Sequence, residues 1–398
     1  MAIQPQLSAQ QQAAQVAQQA QAQNSYAKNL ILSTAIYMKQ PIYQRTTTPA
    51  QDPVLRISPT FAGLGIGFWV QVDASFSNTG STAATPTSSF AAANILSNIT
   101  FYDLNQQQRI NTTGAHVELV NTYKSKYIYG SSVLAVTGED SPIPYGSNFN
   151  VISQSSSIAA SGTGTLRMIY FVPLMYTPRD MRGGIWLGVN NATCQLQLTI
   201  NPTPFVVNTG DTTQAVFTGA STANASITGY TVKVIQHYYD QVPQGAGGPV
   251  LPGQDVSVAY QLLNTNFSGA TPNVEFPMMY SNYRQFLSTV AIYNNNGSTG
   301  RAVNDAAYWA LQSANFTNVW KLEDSTVALQ SRNIIGADPP IGVRYFSSRE
   351  KPIATNQYGN MQLILNPTTA AAGNYCNVLY EFFTLIQTIS QAGSLASY

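Results

Sequence analysis

Apolar and polar positions alternate along this chain in short bursts. Phe68, Val70, Val72, Ala74 and Phe76 are apolar, and Gln71, Asp73 and Ser75 between them are polar. A period of two marks a strand with one buried face, so these five side chains are expected in a core. Residues 166–172, stopped by Pro173, read as a second strand. Cys194, Leu196, Leu198 and Ile200 alternate with Gln195, Gln197 and Thr199 in a third, stopped by Asn201-Pro202. One burst is stated twice. Residues 96–103 read LSNITFYD, and 191 positions on, residues 287–294 read LSTVAIYN. The apolar fourth and sixth places are Ile99 and Phe101 in one copy, Val290 and Ile292 in the other. They are expected to point inward.

The flanks repeat as well. After the first copy, Ala115, Leu119 and Tyr123 are spaced as on a helix, with Thr113 placed to cap it. After the second, residues 306–311 read as a matching helix, Leu311 lying 192 positions beyond Leu119. Residues 361–365 end at Asn366-Pro367, and Pro367 lies 194 beyond Pro173. A strand over 376–383 follows, with Cys376 182 beyond Cys194. Landmarks recurring in one order predict a duplicated unit. Short strands between long polar loops predict antiparallel Greek-key or jelly-roll sandwiches. The expected fold class is all-β: two tandem antiparallel sandwiches of one of these kinds, with short helices. The expected boundaries are an N-terminal arm over 1–50, a first unit over 51–229, a second over 230–386 and a tail over 387–398. The Thr-, Ser- and Gly-rich residues 208–229 are read as the linker, and Tyr230 as the opening of the second unit.

Length supports the division, because 398 residues exceed what one core serves comfortably. Charge adds something else. With 18 basic and 17 acidic residues, only 9% of the chain is charged, against about 25% in a typical soluble protein. Aromatic content of 11% excludes a disordered chain. A folded chain with so few charges is suited to meeting other protein surfaces, where a buried charge is costly. A net charge of +1 argues against a nucleic-acid groove. Cys194 and Cys376 are expected as two separate buried thiols rather than a disulfide framework. Neither a membrane-length apolar run nor a signal-peptide pattern is visible, so synthesis in a cytoplasm is expected.

The arm is peculiar. Residues 1–24 are mostly Gln and Ala without a charge, and read as a segment that orders against a partner rather than as an independent helix. An apolar set returns with Leu30, Ile31, Ala35 and Ile36. All charges before Asp52 are positive: Lys28, Lys39 and Arg45. These three are the candidate contacts to an anionic membrane surface.

Candidate chemistry is sparse. Gly63-Leu64-Gly65-Ile66-Gly67 opens directly into a strand, so it reads as a turn or bulge, not a nucleotide loop. His116 sits in the first helix and His237 in an aromatic strand, one per half, which is not the arrangement of a metal site or triad. Glu139-Asp140 and Glu323-Asp324 read as solvated loop carboxylates. No catalytic, metal or cofactor residue is assigned. Tyr127, Tyr129 and Trp320 are candidates for stacking on sugars and support an alternative: a receptor- or carbohydrate-binding β-sandwich spike.

Several stretches carry a resemblance. They are the Gln/Ala-rich start, Ser141-Pro142-Ile143-Pro144-Tyr145-Gly146, Asn150-Val151-Ile152, the junction from Tyr230 to Pro243, Thr271 to Phe276, the repeat from Leu287, Lys351-Pro352-Ile353, and Gln357-Tyr358-Gly359-Asn360. In order and spacing the chain resembles the double jelly-roll major capsid proteins of tectiviruses, icosahedral phages with an internal membrane. Adenovirus hexon is similar in architecture. The resemblance implies two eight-stranded antiparallel jelly rolls standing side by side, and a non-enzymatic virion protein without cofactors. It also implies homotrimers of pseudo-hexagonal outline that tile capsid facets beside neighbouring trimers and minor capsid and vertex proteins. The N-terminal arm would face the internal membrane, with no direct nucleic-acid contact.

Overall fold

The computed structural model describes residues 9–385 apart from 88–90, 130–150, 177–180, 189–192, 208–213, 246–247, 253–255, 268–272, 279–283, 295–305, 336–341, 349–351 and 369–373. The first half contains α1 (Ala9–Thr34), β1 (Ile36–Thr47), β2 (Val54–Ile57), β3 (Leu64–Asn78), β4 (Leu96–Tyr102), β5 (Gln108–Thr112), α2 (Gly114–Tyr129), β6 (Val151–Gln154), β7 (Gly162–Pro173), β8 (Gln195–Ile200) and β9 (Ala225–Asp240). The second contains β10 (Val256–Phe267), β11 (Val274–Pro277), β12 (Arg284–Asn294), β13 (Ala306–Ser313), β14 (Trp320–Leu322), α3 (Asp324–Ile335), β15 (Val343–Ser347), β16 (Met361–Pro367) and β17 (Asn374–Leu385).

Alternation in β3 does what its pattern dictates. Phe68, Val70, Val72, Ala74 and Phe76 are buried, while Gln71, Asp73 and Ser75 face outward. Each large apolar side chain so buried contributes about 1.5–3 kcal/mol of transfer free energy. The strand lies inside a sheet ordered β1-β9-β3-β7-β6. Opposite it stands β2-β8-β4-β5, whose Leu196, Leu198, Ile99 and Phe101 close the sandwich. The rings of Phe68 and Phe101 meet across it at 5.8 Å. The glycine run is a bulge, with the register slipping between His237 and Tyr238 opposite Gly67 and Gly65. Gly63 has φ +57°, and a Cβ there would lie 2.0 Å from the Tyr239 carbonyl oxygen.

Numbered in their own order, the eight longer strands of the second half form sheets 1-8-3-6 (β10-β17-β12-β15) and 2-7-4-5 (β11-β16-β13-β14). That is jelly-roll topology. In the first half, with β1 and β9 set aside, β2-β8-β4 repeats its beginning: first strand beside last, last beside third.

Three expectations change. Residues 306–311 belong to the strand β13, paired with β16 from Ala306 to Ser313, and the longer helix of the second half is α3. The junction at Tyr230 falls inside β9, which is held between β1 and β3 in the first sheet, and residues 217–218 and 225–229 of the expected linker are likewise paired. Residues 36–47 of the expected arm are an edge strand: β1 pairs with β9 from Ile36 opposite Asp240 to Thr47 opposite Tyr230. Only α1 projects from this sheet, and its last turns are seated by Ala27 and Ile31. Ile31 packs with Leu64, Ile66, Met175, Met181, Val242 and Leu251.

The doubled phrase is out of phase between its copies. Ile99 and Phe101 point into the first sandwich. Val290 and Ile292 point away from the second sandwich and join the core cluster of the first, while Ala291 and Tyr293 fill the second. A one-residue shift exchanges the faces of a strand. In the second copy both faces are buried, so the polar places Ser288 and Thr289 are 1% exposed. The cysteine echo is shifted too: through Tyr102 and Tyr293, Cys376 matches Gln195 rather than Cys194.

Candidate functional site

Residues that meet between the halves form the most extensive arrangement a function could use. The outer face of β10-β17-β12-β15 carries Val258, Tyr260, Val290, Ile292, Val343, Tyr345, Leu379 and Phe383, all within the first half's core cluster. The strands that supply it are buried on both sides. Their sequence signal is the nearly unbroken run Val378-Leu379-Tyr380-Glu381-Phe382-Phe383, which lacks the alternation of a strand with one wet face.

Helix α2 is the wedge on the other side. Thr113 caps it as expected, its Oγ1 accepting the His116 N–H at 3.2 Å. His116 Nδ1 lies 2.8 Å from the same oxygen, and Nε2 lies 3.3 Å from the Asn377 carbonyl of β17. Burial lowers the His116 pKa to about 4 against the opposing pull of that carbonyl. The ring is therefore neutral at pH 7, and its Nε2–H faces the carbonyl as donor. Two turns on along the same face, Tyr123 stacks on Tyr345 at 3.9 Å and 10°. Beyond it, Tyr176 and Arg182 pack on the Phe383 ring at 5.0 and 4.6 Å. Buried Glu381 accepts hydrogen bonds from Ser288 Oγ at 2.7 Å and Tyr260 OH at 3.3 Å.

The other candidates separate. His237 meets the Tyr37 hydroxyl at 2.5 Å and packs against Trp69 and Phe171, and burial lowers its pKa to about 4, with Lys39 a second cause. Cys194 is pushed up to about 12 by burial, and burial also raises Cys376 well above the usual thiol range, so both thiols stay protonated. Glu139 and Asp140 lie outside the described residues. Glu323 is exposed, but Asp324 is not the solvated carboxylate expected. It is 3% exposed, takes two 2.6 Å bonds from Arg344 Nε and Nη2, and accepts Trp309 Nε1–H at 2.8 Å. The first half has a similar pair, Arg109 Nε donating to Asp103 at 2.6 Å. Trp320 is stacked on Phe346 at 5.1 Å rather than held out for a sugar. The side chains of Tyr127 and Tyr129, at the end of α2, lie outside the described residues.

Lys28, Lys39 and Arg45 do not form one patch. Lys28 is half-buried on α1. Lys39 Nζ sits 5.2 Å from the Trp69 ring centre, on the outer face of the first sheet. Arg45 pairs with Val232 on the opposite face and bridges to Asp52 at 2.8 Å.

Comparison with known proteins bears on what such a two-domain body is. Residues 2–242 match the family described as P3 major capsid protein N-terminal, and residues 257–397 the family P3 major capsid protein C-terminal. The change from one to the other falls after β9, where the sheets divide. The chain is 36% identical over 399 residues to the major capsid protein P3 of Enterobacteria phage PRD1, covering all of both chains. In fold it is similar to the crystal structure of the STIV MCP, with a TM-score of 0.61, 14% identity, and 90% and 100% of the two chains covered. A chain from the atomic structure of Sulfolobus turreted icosahedral virus gives 0.60 and 14%, over 90% and 96%.

Proposed function

The chain belongs to the P3 major capsid protein family and is a virion capsid protein, and from that premise we propose how one chain builds a facet. Three copies associate about a threefold axis. Each supplies two sandwiches, so six sandwiches give a near-hexagonal outline that tiles a surface beside other trimers and minor capsid proteins. The chain acts by geometry and performs no catalysis. The carrying observation is the core cluster that runs through both halves. Two jelly rolls welded by Val290, Ile292, Leu379 and Tyr345 act as one rigid doublet, which fixes the angle between successive sandwiches.

For the membrane side, the reading rests on α1. Lys39 and Arg45 are engaged within the sheet, which leaves Lys28 and the exposed Tyr26 and Leu32 as the groups a lipid surface would meet. No helix among the described residues is long and apolar enough to cross a membrane, so α1 would lie against one. Light scattering of the purified chain tests the assembly reading. The expected mass is three times 43.0 kDa, and a monomer at all concentrations refutes it. Flotation with vesicles containing anionic lipid tests the helix: the full chain is expected to float and a chain lacking residues 1–24 to remain below.

A further inference from the structure

The edge strand β1 is weakly held and divided in two. Among the described residues its one strand partner is β9, and most of its side chains are exposed. Pro41 has no N–H to give a ladder, and the register slips between Pro41 and Tyr43. The far piece is fastened by polar ties: Arg45 to Asp52 at 2.8 Å, Thr47 Oγ1 to Asp52 at 2.6 Å, and the hydroxyls of Thr46 and Thr231 at 2.8 Å. The near piece, residues 36–40, carries the root of α1. On one face Tyr238 OH donates to Gln40 Oε1 at 3.1 Å. On the other Tyr37 meets His237.

His237 is 1% exposed. Lys39 stands directly opposite it on β1, and Gly67 opposite it on β3. The rings of Trp69, Tyr37 and Phe171 pack on the imidazole at 4.8, 5.7 and 6.0 Å, and Tyr239 lies 5.5 Å from Tyr37. The titratable groups facing the ring are therefore Lys39, Tyr37 and Tyr239, with no carboxylate among the described residues that act on it. Nδ1 meets the Tyr37 hydroxyl at 2.5 Å, while Nε2 has no hydrogen-bond partner among the described residues. A neutral imidazole needs an acceptor for one N–H at most. An imidazolium has two N–H groups, and here one oxygen serves both. Its charge would also stand across the strand pair from the Lys39 ammonium, and like charges directly opposite repel.

We propose that residues 36–40 form an acid-released latch. While His237 is neutral they hold the root of α1 against the first sheet. When the ring gains a proton this segment lifts away, turning about Pro41, and the sandwiches stay folded. Its low cost follows from its place: an edge segment of five residues opens without disturbing a core. The direction follows from linkage. Burial, with Lys39 second, holds the latched ring at about 4, against 6.5 once it is released. Latching is complete above pH 6.5 and is lost as pH falls toward 4.

Hydrogen exchange of the full chain, read by mass spectrometry and corrected for the intrinsic pH dependence of amides, tests this. In peptides covering 36–40, protection is expected to fall by about tenfold or more from pH 8 to pH 5, with β12 and β17 still protected. His237→Gln should abolish the fall. Lys39→Gln, at an exposed position, should make it shallower and carries the test if the first variant does not fold. Protection at 36–40 that ignores pH in the unmodified chain, or falls as steeply in the variants, overturns the proposal. A fall shared equally by β12 and β17 overturns it too, because the loss would then be global.

Discussion

Asp324 and His116 show how much of this molecule rests on single buried polar groups. Asp324 compensates the Arg344 charge and takes the Trp309 donor, so Asp324→Asn leaves a buried guanidinium without its counter-charge. We expect a loss of about 3–5 kcal/mol, read from denaturant unfolding. His116 ionises near 4 when folded and near 6.5 when unfolded, so between those values the unfolded chain binds more protons. Its contribution is complete above pH 6.5 and is lost as pH falls toward 4, at most about 3 kcal/mol. Unfolding midpoints measured across that window should fall with pH, and His116→Gln should flatten the slope. Little of this residue scale was legible in the sequence. Asp324 beside Lys321 and Glu323 has the composition of a wet loop. Its burial depends on Arg344 and Trp309, which only the fold brings near.

Strands with one wet face could be read from the chain, because alternation is local information. The strands β3, β7 and β8 lie where their patterns put them. Residues 306–311 were misread because Ala306, Ala307, Ala310 and Leu311 favour a helix in isolation, while pairing with β16 decides otherwise. The phrase at 287 was legible as a strand but not in its facing, since both of its faces are buried. Tyr230 looked like an opening because nothing local says that β9 pairs back to β1 and β3. At this scale α1 is the separable part. Ile31→Asp should release it from Leu64, Met175 and Val242, exposing residues up to 34 to limited proteolysis while the melting temperature of the sandwiches changes by only a few degrees.

For the whole molecule, the doubled body matters more than any site. The candidate site named from sequence, Lys28, Lys39 and Arg45, is spread over a helix and both faces of a sheet. The contact between the halves was not foreseen, because its residues looked like the core of one domain. Deleting residues 1–24 is expected to leave a folded trimer, by light scattering, yet to impair closed particles, by electron microscopy. Unfolding on deletion would show instead that the helix belongs to the core.

The pairing of β1 with β9 also bears on how the chain is made. Partners in this ladder lie between 183 residues apart (47 to 230) and 204 (36 to 240). Such long-range contacts form late, and during synthesis β1 must wait until residue 240 has left the ribosome. For more than half of translation α1 therefore hangs from an unpaired strand. A chain that stops before residue 230 leaves β1 without its partner, and the seat of this helix is complete only once Val242 and Leu251 have been made.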